Sequence, residues 1–171
     1  MSIYPQSVPL MRKMLGNLAA WLQEARSYAE ERGFEVDVLV QARLHPDQFT
    51  LARQVESACD AAKLTAARLA ALEVPKHEDG ATTVAALEAR IAEVREILAG
   101  ITEEQLAGAA EREITLGFLP EGTFVIGADY LHDFALPNFF FHLNHAYAIL
   151  RHNGVKLGKR PYIGSMNVQS R

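Results

Sequence analysis

Apolar residues recur at alternating steps of three and four along three long stretches of the chain. This spacing is typical of helices that bury one face. The first stretch predicts a helix over Val8–Arg32, ended by Gly33, and the second predicts a helix over about residues 49–72. The third predicts a helix that begins at Thr82 or Thr83 and ends near Ile101. Because each apolar stripe needs a partner to cover it, the three together predict a helical bundle.

The segments that connect the predicted helices also contain residues that indicate local structure. Pro46 breaks regular structure between the first two helices, although residues 37–43 favour a short helix. Thr102 and Gln105 have the spacing of a capping box, which predicts a helical turn. The alternating segments 113–118 and 123–127 predict a small β-hairpin that must pack on the helices.

The last helix is predicted over about residues 129–153, with a kink at Pro137. The remaining residues, 155–171, are polar and contain glycine, so we expect them to lie along the surface. No repeat or linker divides the chain. The fold is therefore expected to be mainly α, a four-helix bundle with a β-hairpin before its last helix, in one domain over residues 1–171.

Composition narrows the classes of function. The net charge of −4 argues against a general nucleic-acid-binding protein, and no apolar run is long enough to cross a membrane. Cys59 is the only cysteine, so an intramolecular disulfide and a multi-cysteine zinc site are excluded. The first residues lack the basic and apolar regions of a secretory signal, and we expect a cytoplasmic protein.

The last helix carries an unusual polar stripe. Asn138, His142, His145, Ile149 and His152 follow one another at steps of four, three, four and three, so they share one face. Three imidazoles on one stripe indicate either a functional site or a polar surface. Since Leu143, Ala146 and Leu150 define the core-facing seam, His145 and His152 are expected at the rim or exposed.

Six segments resemble uncharacterised bacterial proteins within the DinB/YfiT-like four-helix-bundle superfamily, a domain of unknown function. The segments are Ala42-Arg-Leu-His-Pro-Asp47, Gln54-Val-Glu-Ser-Ala-Cys-Asp-Ala-Ala-Lys63, Val74-Pro75, Pro137-Asn-Phe-Phe-Phe-His142, Ala146-Tyr-Ala-Ile-Leu-Arg-His-Asn-Gly154 and Leu157-Gly-Lys159. The resemblance implies a four-helix bundle that is commonly dimeric. It implies no established reaction.

Better-known members of the superfamily hold a divalent metal with three histidines, one on the second helix and two in an H-x-x-x-H pair on the last. His142 matches the second residue of that pair, and Asn138 stands at the first. Residues 51–72 contain no histidine. His142 is thus the only family-matched metal ligand, although Asp60 or Glu56 could complete a site. If no metal binds, His142 is expected to be buried and held by a carboxylate.

Asp60 and Lys63 are the next candidates. They lie one helical turn apart, so they either form a local ion pair or place a buried carboxylate opposite His142 or Arg151. Arg151 has the guanidinium geometry that receives carboxylates or phosphates, but it also lies where a cation stabilises a helix C-terminus. Cys59 has no base fixed near it and is expected to be a small buried residue.

These features lead to a prediction with two alternatives. We expect a small-molecule-binding protein, forming a homodimer, with a pocket between the second and last helices that takes an anionic or thiol-containing ligand. The predicted polar lining is Asp60, Lys63, Asn138, His142 and Arg151. One alternative is a degenerate metal-dependent transferase or isomerase acting on a thiol-linked or other small substrate. The other is a structural dimerisation module without a pocket.

Overall fold

The computed structural model describes residues 2–170 and is built on four long helices. These are α1 (Val8–Arg32), α2 (Leu51–Ala70), α3 (Val84–Ala99) and α4 (Leu136–His152). Helix α2 packs along both α3 and α4, and α1 closes the bundle by packing on α3 and α4. The predicted class, mainly α with a small hairpin before the last helix, is confirmed.

The predicted apolar stripes are the faces that the bundle buries. Every stripe residue of α1 and α3 is at most 4% exposed. On α1 these are Val8, Met11, Leu15, Leu18, Leu22, Ala25 and Ala29, and on α3 they are Val84, Leu87, Ile91, Val94, Leu98 and the following Ile101. The spacing of apolar residues therefore located the core correctly, because burial of one helical face follows directly from that spacing.

Local capping sets the ends of α2 and α3. The Thr50 hydroxyl accepts the backbone N–H of Arg53 at 3.3 Å, and the Thr83 hydroxyl accepts that of Ala86 at 3.1 Å. Ala71 adopts a left-handed backbone with φ of 52° and ends α2. Helix α2 is thus two residues shorter at each end than predicted.

The connectors are tighter than the sequence indicates. The short helix expected over residues 37–43 is a 3-10 turn, Val36–Gln41, whose Asp37 carboxylate accepts the backbone N–H of Val84 at 2.7 Å. Thr102 and Gln105 form the predicted reciprocal capping box. The hairpin is confirmed but short: β1 (Glu113–Ile114) pairs antiparallel with β2 (Val125–Ile126), leaving residues 115–124 as its loop.

The expected kink before α4 takes the form of a π-helical turn. A helical turn, Gly127–Asp129, leads into the π segment Tyr130–Ala135, which continues into α4. Pro137 has no N–H to donate to the carbonyl four residues back, and the wider π turn immediately before it accommodates this loss. The turn re-aims the aromatic side chains of this segment toward α2.

The C-terminal segment is more ordered than a surface tail. It contains α5 (Lys159–Ile163), which packs on α1. The Trp21 indole donates to the carbonyl of Pro161 at 3.1 Å, and the ring of Tyr162 stacks on Trp21 with centroids 5.4 Å apart. These five residues have no helical periodicity of apolar positions, and aromatic packing on α1 determines their structure.

Candidate functional site

A groove of about 240 Å³ runs between α2 and α4. Its polar side chains come from both sides. They are Arg53, Ser57, Asp60, Thr65 and Arg68 on α2, and Asn138 and His142 on α4. The π turn adds Tyr130 and Phe134, and the hairpin loop adds Phe118.

Helical spacing explains why these side chains meet. Residues 53, 57, 60, 64 and 68 of α2 follow steps of four, three, four and four, so they form one stripe. On the facing side, Phe134, Asn138 and His142 are spaced by four. Two stripes on packed neighbouring helices must face each other, and the groove is the space between them.

His142 is held in one orientation by an amide. Its Nδ1 donates to the side-chain oxygen of Gln54 at 2.8 Å, and its ring stacks on Phe49 with centroids 6.2 Å apart and planes 8° apart. Because the Gln54 oxygen can only accept, Nδ1 carries the proton and Nε2 keeps its lone pair in the neutral ring. The carboxylate partner that the sequence suggested is absent from this contact. Glu56 instead accepts the backbone N–H groups of Gly80 and Ala81, each at 2.8 Å.

The protonation state of His142 follows from this environment. Burial, together with the charges of His145 and Arg53, lowers the pKa of His142 from 6.5 to about 4. The imidazole is therefore neutral at pH 7. Its Nε2 lone pair is free to accept a hydrogen bond, and the ring carries no charge.

The side chains present do not fit the three-histidine metal site of the superfamily. The two side chains nearest to that pattern, Asn138 and Gln54, carry neutral amides, and the Nδ1 of His142 is already bonded to Gln54. Within residues 2–170, no group of three or more histidine, cysteine or acidic side chains lies close enough to hold a metal. Amides are weak ligands for zinc, which prefers thiolate, imidazole and carboxylate.

Asp60 belongs both to the groove and to a charge cluster behind it. Its carboxylate contacts Lys63 Nζ at 3.1 Å and Arg90 of α3 at 2.9 Å. Arg90 is 8% exposed and also contacts Asp79 at 3.3 Å, while Lys63 is 3% exposed. The local ion pair with Lys63 is present. The other alternative, a buried carboxylate opposite His142 or Arg151, is not, because the Asp60 side chain is 30% exposed and its second partner is Arg90.

Three of the five predicted lining residues meet in the groove: Asp60, Asn138 and His142. Lys63 turns the other way, where Nζ donates to the carbonyl of Pro75 at 2.9 Å and contacts Nδ1 of His77 at 2.7 Å. Arg151 is exposed and donates to the carbonyl of Val155 at 3.3 Å, which is the helix-terminal role considered above. Lys63 and Arg151 have suitable side chains, but each lies on a part of its helix that does not face the groove.

Cys59 lies in the core with no exposed surface, and burial raises the pKa of its thiol to about 12. A thiol in that state is not a nucleophile at neutral pH.

Sequence reasoning missed Arg68 and Tyr130. The Arg68 guanidinium donates to the Tyr130 hydroxyl at 3.0 Å, and Thr65 lies 3.4 Å from that hydroxyl. Arg68 was detectable, since it extends the Arg53–Asp60 stripe by two more turns of α2. Tyr130 was not, because its orientation depends on the π turn.

Comparisons with known proteins agree with the architecture and the sequence patterns. The crystal structure of a DinB family member protein from Shewanella denitrificans superposes with a TM-score of 0.94 at 42% sequence identity. The match covers 99% of this chain and 96% of that one. The fold is accordingly a DinB-like helical bundle.

A family model matches residues 3–163, and the chain belongs to that family, described as Domain of unknown function (DUF1993). The resemblance noted in the sequence is thereby confirmed. No curated protein matches the chain. Across residues 2–170, none of the helices is both long and apolar enough to span a bilayer.

Proposed function

We propose that this protein binds a small molecule in the groove between α2 and α4. The observation that carries the proposal is the unused hydrogen-bonding capacity of the groove. The half-buried Asn138 side chain makes no hydrogen bond to any residue in the range 2–170, and Nε2 of His142 is left as an acceptor. Polar groups in a cleft that lack protein partners are available to orient a ligand.

The chemistry of recognition follows from these groups. Asn138 offers both a donor and an acceptor, and the neutral His142 offers an acceptor that a ligand N–H or O–H can reach. Phe118 and Phe134, whose ring centroids are 5.2 Å apart, supply an apolar wall in the same groove. A ligand with one polar edge and one apolar face satisfies both sides.

A fragment screen followed by amide chemical shifts tests the proposal. We expect fragments that bind to shift the backbone amides of residues 57–68 and 134–142, and Asn138→Leu to weaken them about tenfold by removing the polar partner. Asn167→Leu, an exposed change in the C-terminal segment, is the matched control and should leave binding unaltered. Shifts confined to other surfaces, or full binding by Asn138→Leu, would contradict the proposal.

The metal-dependent transferase or isomerase alternative is tested separately. We expect protein purified without chelator or histidine tag to contain far less than one equivalent of metal, and Zn²⁺, Ni²⁺ or Mn²⁺ not to raise its melting temperature. Stoichiometric metal that disappears in His142→Ala would reverse this conclusion and favour the enzyme.

We also propose that the chain forms a homodimer. The superfamily resemblance supports it, as do two exposed aromatic side chains that both lie beside the ring of His142. These are Phe49 and Phe141, which are 48% and 53% exposed. Light scattering after gel filtration should give twice the chain mass, and Phe141→Glu should shift it toward the monomer. Val168→Glu, at a 78% exposed position of the C-terminal segment, is the control. A monomeric mass at every concentration would contradict the dimer.

A further inference from the structure

Charges around the groove are not evenly balanced. Asp60 faces two cations, Lys63 at 3.1 Å and Arg90 at 2.9 Å. Arg53 pairs with Asp79. Arg68, in contrast, forms no ion pair with any carboxylate among the described residues. The groove therefore holds one cation whose charge no neighbouring side chain neutralises.

Arg68 is also fixed in place. One nitrogen of its guanidinium donates to the Tyr130 hydroxyl at 3.0 Å, and Tyr130 itself is completely buried. The guanidinium carbon lies 5.8 Å from the centroid of the Tyr130 ring. Nothing else within residues 2–170 accepts a hydrogen bond from this side chain, so its other N–H groups remain available. A guanidinium held along one edge is organised to receive an anion on the other.

Arg68 lies at the boundary between two cavities. It lines the groove and also an adjoining cavity of about 730 Å³, which shares Asp60 and Leu64 with the groove and is lined in addition by Lys76. An anion at Arg68 would therefore lie where the two spaces meet. Asp60 does not oppose such an anion strongly, because Lys63 and Arg90 already offset its charge.

An apolar wall lies beside this cation. Phe118 is 66% exposed on the hairpin loop, and its ring packs on Phe134 of the π turn. An exposed phenylalanine resting on one aromatic partner leaves its other face for a further ring. Cation and aromatic wall belong to one groove, so a single small ligand can contact both.

We infer that the groove selects small organic carboxylates that carry an aromatic or other flat apolar part, with Arg68 holding the carboxylate and Phe118 and Phe134 the apolar part. This inference rests on the proposed function, since it names the class of ligand for the same groove.

Matched pairs of acids and amides provide the test. The probes are benzoate, 4-hydroxybenzoate and 3-phenylpropanoate, each compared with its primary amide by amide chemical-shift titration. We expect each acid to bind about tenfold or more tightly than its amide, because a charge-assisted hydrogen bond is stronger than a neutral one. Arg68→Gln should remove that preference by weakening the acids far more than the amides, and Arg68→Lys should retain part of it.

Controls separate this inference from the proposed function. Arg43→Gln, at an exposed position where the side chain donates to the carbonyl of Pro46 at 3.1 Å, should preserve the preference for acids. Inorganic phosphate, an anion without an apolar part, should bind more weakly than the acids. Amides that bind as well as acids, or acids unaffected by Arg68→Gln, would overturn the anion preference and leave a groove for neutral ligands. If neither acids nor amides shift the groove residues, the proposed function fails as well.

Discussion

Helix α2 lies between two polar regions that differ in how fully their side chains are paired. Toward α3 and the loop after α2, the charges are nearly all matched: Lys63, Arg90 and Glu56 are each less than 10% exposed and each has charged or backbone partners. Toward α4, the groove contains polar groups, such as the Asn138 amide, that have no hydrogen-bond partner among residues 2–170. The same helix thus presents a closed polar network on one side and an open one on the other.

The difference separates polar residues that the fold requires from polar residues that are available to bind a ligand. Burying a charge is costly unless it is paired, so the network behind α2 is a requirement of folding once those residues are placed there. Asn138 and Arg68 are only half-buried, so the cost of leaving them without a charged partner is much smaller. Groups that stability does not need are the better candidates for a ligand site.

Breaking the closed network should give the largest effect. Arg90→Ala removes the guanidinium that joins Asp60, Asp79 and the carbonyl of Glu78. We expect the free energy of unfolding to fall by about 2–4 kcal/mol, somewhat less than for a fully buried pair because Asp60 and Asp79 are partly exposed. Urea unfolding at pH 7 measures it.

The exposed Arg43 provides the comparison for this substitution. Arg43→Ala loses a single surface hydrogen bond and should change stability by no more than about 0.5 kcal/mol. Equal losses for the two variants would show that the network behind α2 contributes no more than surface charges do.

The sequence predicted the bundle well because apolar spacing is a local property. The stripes of α1 and α3 were predicted residue by residue, and Asn138 and His142, four residues apart on α4, lie in the groove as predicted. The prediction that Lys63 lines the groove was wrong for a geometric reason. Lys63 and Asp60 lie one turn apart, yet of these two only Asp60 reaches the groove. Spacing gives the angle of a side chain around its own helix, but not the rotation of that helix against its neighbours.

The partner of His142 illustrates the same limit. A carboxylate was expected, and Gln54 takes that place while Glu56 binds backbone N–H groups of the following loop. The residues are two positions apart on α2, so the bundle's packing alone decides which one faces α4. The π turn, which positions Tyr130 and Phe134, also depends on packing as well as on Pro137.

The lowered pKa of His142 should make the stability of the protein depend on pH in the acid range. Its pKa is about 4 in the folded protein, against about 6.5 when unfolded, so between these values the unfolded chain binds more protons. The free energy of unfolding should therefore decrease as the pH falls from 6.5 toward 4. Urea unfolding across this range should show a shallower decrease for His142→Gln, which cannot titrate. His152→Gln, at an exposed position at the end of α4, should follow the unsubstituted protein. Parallel curves for all three proteins would refute the lowered pKa.

Arg68 is expected to matter much less for stability than Arg90, although its effect on the binding of acids is large. Arg68→Gln removes one hydrogen bond to Tyr130, and Thr65 lies 3.4 Å from the same hydroxyl as a remaining partner. We expect a loss of about 1 kcal/mol or less in the free energy of unfolding, clearly smaller than for Arg90→Ala. Urea unfolding of both variants, in one buffer and at one pH, gives the ratio directly. Losses of equal size would place Arg68 in the structural network, and its unpaired charge would then no longer indicate a ligand.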